Sequence, residues 1–137
     1  MQVTLVNHTP NPELTIVAAA RSSASQSTFE ELRDRLSSLQ IDNLFQQLLD
    51  SGHLSTFEHA SFTFNIQGIS RVTSHQLVRH RLASYTQQSQ RYVALKDYGY
   101  VTPPTISKQT DLLAKYQQTL ESAHELYSRM LEAGIPA

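Results

Sequence analysis

Two short stretches alternate apolar and polar residues with the period of a strand. Near the N-terminus Val3 and Leu5 on one face, with Thr4 and Val6 on the other, read as a first strand, which ends in the turn cluster Asn7-His8-Thr9-Pro10-Asn11-Pro12. Phe62, Phe64 and Ile66 alternate with Thr63 and Asn65, which predicts a second strand with one apolar face. Between them the period changes to that of a helix. Asn11 reads as an N-cap with Pro12 at the first helical position, opening a helix through Ile16, Val17 and Ala18 toward Arg21. The serines from Ser22 to Ser27 stop it, because their side chains compete for backbone hydrogen bonds. Thr28 or Ser27 then caps a short helix, Phe29 to Leu36, with Glu30 and Glu31 in its first turn. A third helix, Ile41 to Leu49, gathers Leu44, Phe45, Leu48 and Leu49 on one face and stops at Gly52.

Beyond the second strand, Val72 to Val78 has helical spacing, and the period is then lost from Leu82 to Gln90. The longest periodic segment follows Pro103-Pro104. Leu113, Tyr116, Leu120, Ala123, Tyr127 and Met130 repeat at alternating steps of three and four, a long amphipathic helix from Thr110 to Leu131 with Gly134 and Pro136 beyond it. There is no internal repeat, low-complexity tract or linker, so 137 residues read as a single α/β domain.

Composition narrows the chemistry. No run approaches the ~20 apolar residues that span a bilayer, and the N-terminus lacks the pattern of a signal peptide, so the expected location is the cytoplasm, with no membrane partner. There are no cysteines, which excludes disulfides, thiolate metal sites and a cysteine nucleophile. The four glycines, Gly52, Gly68, Gly99 and Gly134, stand far apart, so neither a GxGxxG turn nor a P-loop is possible.

Charge changes the picture more. Five of the 11 basic residues (Arg71, Arg79, Arg81, Arg91 and Lys96), and none of the 12 acidic ones, fall between Glu58 and Asp97. That stretch is formally +5 inside a chain of net charge −1, which points to a local anion site. Arg79-His80-Arg81 supplies many donors and little acceptor capacity. On a helix the three would fan over about 200°, lining a long anion or several ligands rather than one small group. The competing reading is a solvated basic helix end. If Ser89 to Tyr92 is extended, Ser89 and Arg91 share a face that suits a phosphate. Upstream, Ser55-x-x-Glu58 has the form of a capping box, while His53 and His59 lack a ligand-spaced partner, which argues against a metal.

The ordered set Arg79-His80-Arg81, Ser84, Ser89, Arg91, Tyr92 resembles the signature of flavin-dependent thymidylate synthases, RHR, seven residues, Ser. His53-x-Ser55-x-Phe57-Glu58-His59 is similar to a second block of that family, and Asn11-Pro12 with Ala18-Ala19-Ala20-Arg21 to its first helix. The resemblance implies a twisted, mainly antiparallel sheet flanked by helices. It implies FAD held by Arg79, His80 and Arg81, with Ser55 and Gln87 beside it and His53 and Glu58 in support. It implies dUMP on Gln76, Arg79, Ser89 and Arg91. The implied reaction is reductive methylation of dUMP to dTMP, with methylenetetrahydrofolate as carbon donor and NADPH as reductant, in a homotetramer. Thr86 stands where the longer signature has Asn, and Gln87 where an acidic residue is often found. The family continues past Ala137, so the resemblance places an arginine that helps ionise the uracil ring, and asparagines that contact the flavin, beyond the last residue; no catalytic residue is expected before it. Two other readings stand beside this one. One is a module that binds single-stranded nucleic acid through Arg71, Arg79, Arg81, Arg91 and Lys96 with Tyr85 and Tyr92 as stacking platforms. The other is an interaction subunit whose long helix packs against copies of itself.

Overall fold

A computed structural model describes residues 1–94 and 99–136. Lys96, one of the five basic residues singled out above, lies outside the described residues. The chain divides into two compact units, Met1–Gln67 and Gly68–Ala137.

The first unit contains the sheet. β1 (Gln2–His8) and β2 (Phe62–Gln67) pair antiparallel, with Val3 opposite Ile66 and Leu5 opposite Phe64. The register shifts between Leu5 and Asn7, so that Asn7 faces Thr63 and His8 faces Phe62. The extra residue moves His8 onto the Phe62 side, where the two rings stack at 6.2 Å. Between the strands come α1 (Pro12–Ser22), α2 (Phe29–Arg35), α3 (Ser38–Asp50) and a 3-10 helix over Leu54–His59.

α1 is the centre of this unit and packs against α2, α3 and the 3-10 helix. Ile16, Val17, Ala18 and Leu32 are the buried apolar residues, and Val17 is 0% exposed. Phe57 of the 3-10 helix meets Phe45 of α3 edge to face at 5.2 Å. Pro12 takes the first helical position as expected. Asn11, however, caps with its backbone in the left-handed region (φ 46°) and not with its side chain. Thr15 Oγ1 instead donates to the carbonyls of Pro10 and Asn11 at 3.3 and 3.2 Å.

α2 and α3 both open with complete capping boxes. Thr28 accepts from Glu31 N–H while Glu31 accepts from Thr28 N–H, and Ser37 and Gln40 do the same. α3 therefore begins three residues before Ile41. Removing such a cap costs about 1 kcal/mol, and glycine at the same place costs only a few tenths. Ser37→Ala should lower the stability of the chain by about 1 kcal/mol in urea unfolding followed by circular dichroism, and Ser37→Gly by much less. Equal midpoints for Ser37→Ala and the unaltered chain would show that the box does not hold α3.

The second unit holds α4 (Arg71–Leu77), α5 (Pro104–Ser107) and α6 (Thr110–Glu132). Ser70 caps α4 by accepting from Thr73 N–H at 3.1 Å. α6 runs one residue beyond the expected Leu131 and ends on Gly134 at φ +82°, whose N–H bonds to Leu131 O while Ile135 N–H bonds to Met130 O. This six-to-one and five-to-two closure needs a left-handed residue, which glycine adopts without strain. α5 packs on α6, and Tyr100 meets Tyr116 edge to face at 6.0 Å. Of the expected apolar face of α6, Leu113, Tyr116, Leu120 and Tyr127 are half-buried, whereas Ala123 and Met130 are exposed. The fold is α/β, a small antiparallel sheet with helices and a long C-terminal helix. No helix among the described residues is long and apolar enough to cross a membrane.

Candidate functional site

His53, Ser55 and Glu58 lie in the first unit, at the junction of α3 and the 3-10 helix. α3 closes with the same motif as α6. Gly52, at φ +71°, donates to Leu49 O at 3.1 Å, and His53 N–H donates to Leu48 O at 3.0 Å. His53 O accepts from Thr56 Oγ1 at 2.9 Å. The backbone of His53 is thus spent on the end of α3 and the start of the next turn, which leaves its imidazole free of local work. His53 borders a cleft of about 480 Å3 together with Val17, Arg21, Leu32, Gln47 and Ser51. Ser55 and Glu58 are exposed on the 3-10 helix. The capping box expected of this pair does not form, because the segment is a single 3-10 stretch of six residues with no side-chain cap.

The remaining candidates lie in the second unit. Gln76 sits in the last turn of α4. Arg79, His80 and Arg81 follow the helix rather than continuing it: Arg79 N–H bonds to Gln76 O at 3.2 Å and His80 N–H to Leu77 O at 3.1 Å. The three side chains, all exposed, are therefore set by consecutive turns and not by the 100° step of a helix. Among the described residues no carboxylate lies within ion-pair distance of Arg71, Arg79, Arg81 or Arg91; the ion pair found is Arg33–Asp34. A cation without a protein counter-charge is available to a ligand anion.

The loop after these residues is irregular, as its sequence predicts. Ser89 and Arg91 do not share the face of an extended strand. Residues 90–92 form a turn, closed by Val93 N–H on Ser89 O at 3.2 Å, and Ser89 Oγ accepts from Arg91 N–H at 3.2 Å. The hydroxyl proton of Ser89 therefore remains available to donate outward. The Arg91 guanidinium lies 5.8 Å from the Tyr92 ring centroid. Two contacts tie this loop to α4: Gln87 Nε2 donates to Ser74 Oγ, and Arg71 Nη1 donates to Gln88 O at 3.3 Å.

The structure thus links the loop carrying Gln87 and Ser89 to the helix carrying Gln76, and shows Arg79, His80 and Arg81 as an exposed group on the turns after that helix. Ser74 was not legible as part of this group, since nothing in the spacing of Ser74 and Gln87 announces their contact. No cluster of three or more His, Cys, Asp or Glu suited to a metal occurs among the described residues. The donor set suits an anionic dinucleotide: guanidiniums, an imidazole and hydroxyls on backbone that carries no neighbouring carboxylate.

A family model described as "Thymidylate synthase complementing protein" matches residues 4–137. A flavin-dependent thymidylate synthase from Geobacter sulfurreducens is 40% identical over 139 residues, covering 100% of this chain and 60% of that protein. Those from Clostridium tetani and Pyrococcus furiosus are 40% and 41% identical, covering 95% and 98% of this chain and 52% and 57% of theirs. The chain spans between half and three-fifths of the length of these curated relatives. Among solved structures, a UMP/dUMP methylase, PolB from Streptomyces cacaoi, bound with 5-Br dUMP, matches with a TM-score of 0.78 and 27% identity, over 98% of this chain and 63% of that one. With nearly its whole length matched by the family model, this chain belongs to the thymidylate synthase complementing protein family, together with the flavin-dependent thymidylate synthases.

Proposed function

We propose that this chain is the flavin- and nucleotide-binding part of a flavin-dependent thymidylate synthase, acting in the reductive methylation of dUMP to dTMP. The observation that carries this reading is the turn at Arg79-His80-Arg81. It presents two guanidiniums and an imidazole to solvent with no carboxylate partner among the described residues, in a chain of this family. Arg79, His80 and Arg81 are assigned to FAD, with Ser55 and Gln87 beside it and His53 and Glu58 in support. Gln76, Arg79, Ser89 and Arg91 are assigned to dUMP. When bound, the flavin supplies the hydride, with NADPH as the ultimate reductant and methylenetetrahydrofolate as the carbon donor.

The residues of the chain bind and orient. Ser89 holds one acceptor bond from Arg91 N–H, which sets its hydroxyl to donate to a phosphoryl oxygen, and Arg91 adds charge two residues away. Ser89 is a binding group and not a nucleophile, because no histidine or carboxylate among the described residues is bonded to its oxygen. The 1–137 chain is assigned to one functional domain of a cytoplasmic homotetramer that binds neither membrane nor nucleic acid. The single-strand-binding alternative is not favoured, since the relatives named above are thymidylate synthases and a dUMP methylase.

The test is a visible absorption spectrum after incubation with FAD and desalting, with and without dUMP. Retention of the flavin band and its perturbation by dUMP are the expected result. A colourless protein that stays colourless when extended to the length of its relatives would overturn the assignment.

A further inference from the structure

The Gln87–Ser74 contact is the part-buried side-chain hydrogen bond between α4 and the loop that follows it. Its direction is fixed by a second bond. Ser74 Oγ donates its only proton to Arg71 O at 2.9 Å, so it meets Gln87 as an acceptor, and Gln87 must supply the proton from Nε2. The relay runs in one direction, from the Gln87 amide through the Ser74 hydroxyl to the Arg71 carbonyl. Arg71 closes the arrangement from the other side by donating through Nη1 to Gln88 O. Two adjacent residues of the loop, Gln87 and Gln88, are thereby held by two residues one turn apart on one helix. Gln87 commits one amide proton and keeps its other proton and its carbonyl oxygen for a ligand.

We propose that Ser74 is a positioning residue. By accepting from Gln87 it fixes the 87–91 segment against α4, so that Ser89 and Arg91 meet the nucleotide in register with Gln76 and Arg79. This rests on the proposed dUMP site, and it depends on glutamine at 87: an ionised glutamate has no proton to give and would force Ser74 to leave the Arg71 carbonyl.

The experiment uses the intact chain and four variants: Ser74→Ala, Ser74→Thr, Gln87→Ala and the double Ser74→Ala/Gln87→Ala. Amide exchange over residues 86–92 is read first, because it needs no ligand. Ser74→Ala should speed exchange there by about five- to tenfold, the worth of one ordinary hydrogen bond, and leave α1 and α3 unchanged. Ser74→Thr, which keeps the hydroxyl, should restore it. dUMP affinity is read second: Ser74→Ala should weaken binding by about the same factor, and should add nothing in the Gln87→Ala background. Unchanged exchange over 86–92 in Ser74→Ala, or a full additional loss in the double variant, would overturn the proposal. If the unaltered chain binds no dUMP, the assigned function fails, and the exchange measurement still decides whether Ser74 holds the loop.

Discussion

Replacing Arg79 and Arg81 together by alanine is expected to weaken FAD binding by about a hundredfold or more while leaving the unfolding midpoint nearly unchanged. Both halves of that expectation come from the same geometry. The side chains are exposed, follow α4 on turns held by backbone bonds, and have no carboxylate partner among the described residues, so the folded chain loses little when they are cut back. Their worth lies with the ligand. A charge-assisted hydrogen bond contributes about 1.5 to 3 kcal/mol, so two of them amount to about two to four orders of magnitude in the dissociation constant. Lysine at both positions should recover part of the loss, keeping the charge and losing the planar fork. The measurement is a flavin titration followed by visible absorbance at fixed ionic strength, since screening weakens such contacts. Affinity within threefold of the unaltered chain for the double alanine variant would remove Arg79 and Arg81 from the cofactor site.

The second large effect concerns the fold that carries His53. Val17→Asp should abolish cooperative unfolding of the first unit. Val17 is 0% exposed, with Ile16 and Ala18 beside it and Leu32 across from it, and these four residues are the buried core of the described chain. An aspartate there is buried beside Ile16, Ala18 and Leu32, while Arg21, one turn on and bordering the same cleft, is itself exposed. An unpaired buried charge costs about 3 to 5 kcal/mol, against a total stability of about 5 to 15 kcal/mol for a domain. Val17→Ala, which removes two methyl groups and leaves a small cavity, should cost about 2 kcal/mol and keep the transition intact. Urea unfolding followed by far-ultraviolet circular dichroism separates the two. A sharp transition at an unchanged midpoint for Val17→Asp would mean that α1 does not organise this unit.

The sequence was most informative where one local rule sufficed. β2 follows from strict alternation, and the position of α2 follows from Thr28 with Glu31 three residues on. β1 starts as expected but runs on through Asn7 and His8, which pair with Thr63 and Phe62 past the register shift at Val6 instead of forming a turn. The apolar face of α3 starts at Ile41, three residues inside the helix, whose true start is written in Ser37 and Gln40, a pairing of the same kind as Thr28 and Glu31. Ser55 and Glu58 show the converse. Their spacing is that of a capping box, yet the chain from Leu54 to His59 is too short and too tightly wound to use it. α5 leaves no mark in the apolar pattern, because four residues are too few to show a period.

For the site, residue types were legible and their geometry was not. Charge and motif marked Arg79, His80, Arg81, Ser89 and Arg91. Turn structure decides how these residues are displayed, and a turn is set by backbone bonds such as His80 N–H to Leu77 O that no apolar pattern records. The contact between Ser74 and Gln87, 13 residues apart, belongs to the same class of information.

The pairing of β1 with β2 has a consequence in time. Gln2 pairs with Gln67, so the two strands of the sheet lie at opposite ends of the first unit, with three α-helices between them. On a ribosome adding about 5 to 20 residues per second, the first strand waits several seconds for its partner to be made. The intervening helices close through near neighbours and have no such wait. Val3, Leu5 and Val6 therefore spend the early life of the chain as an unpaired apolar strand, and it is in this interval that a chaperone or a neighbouring nascent chain would meet it.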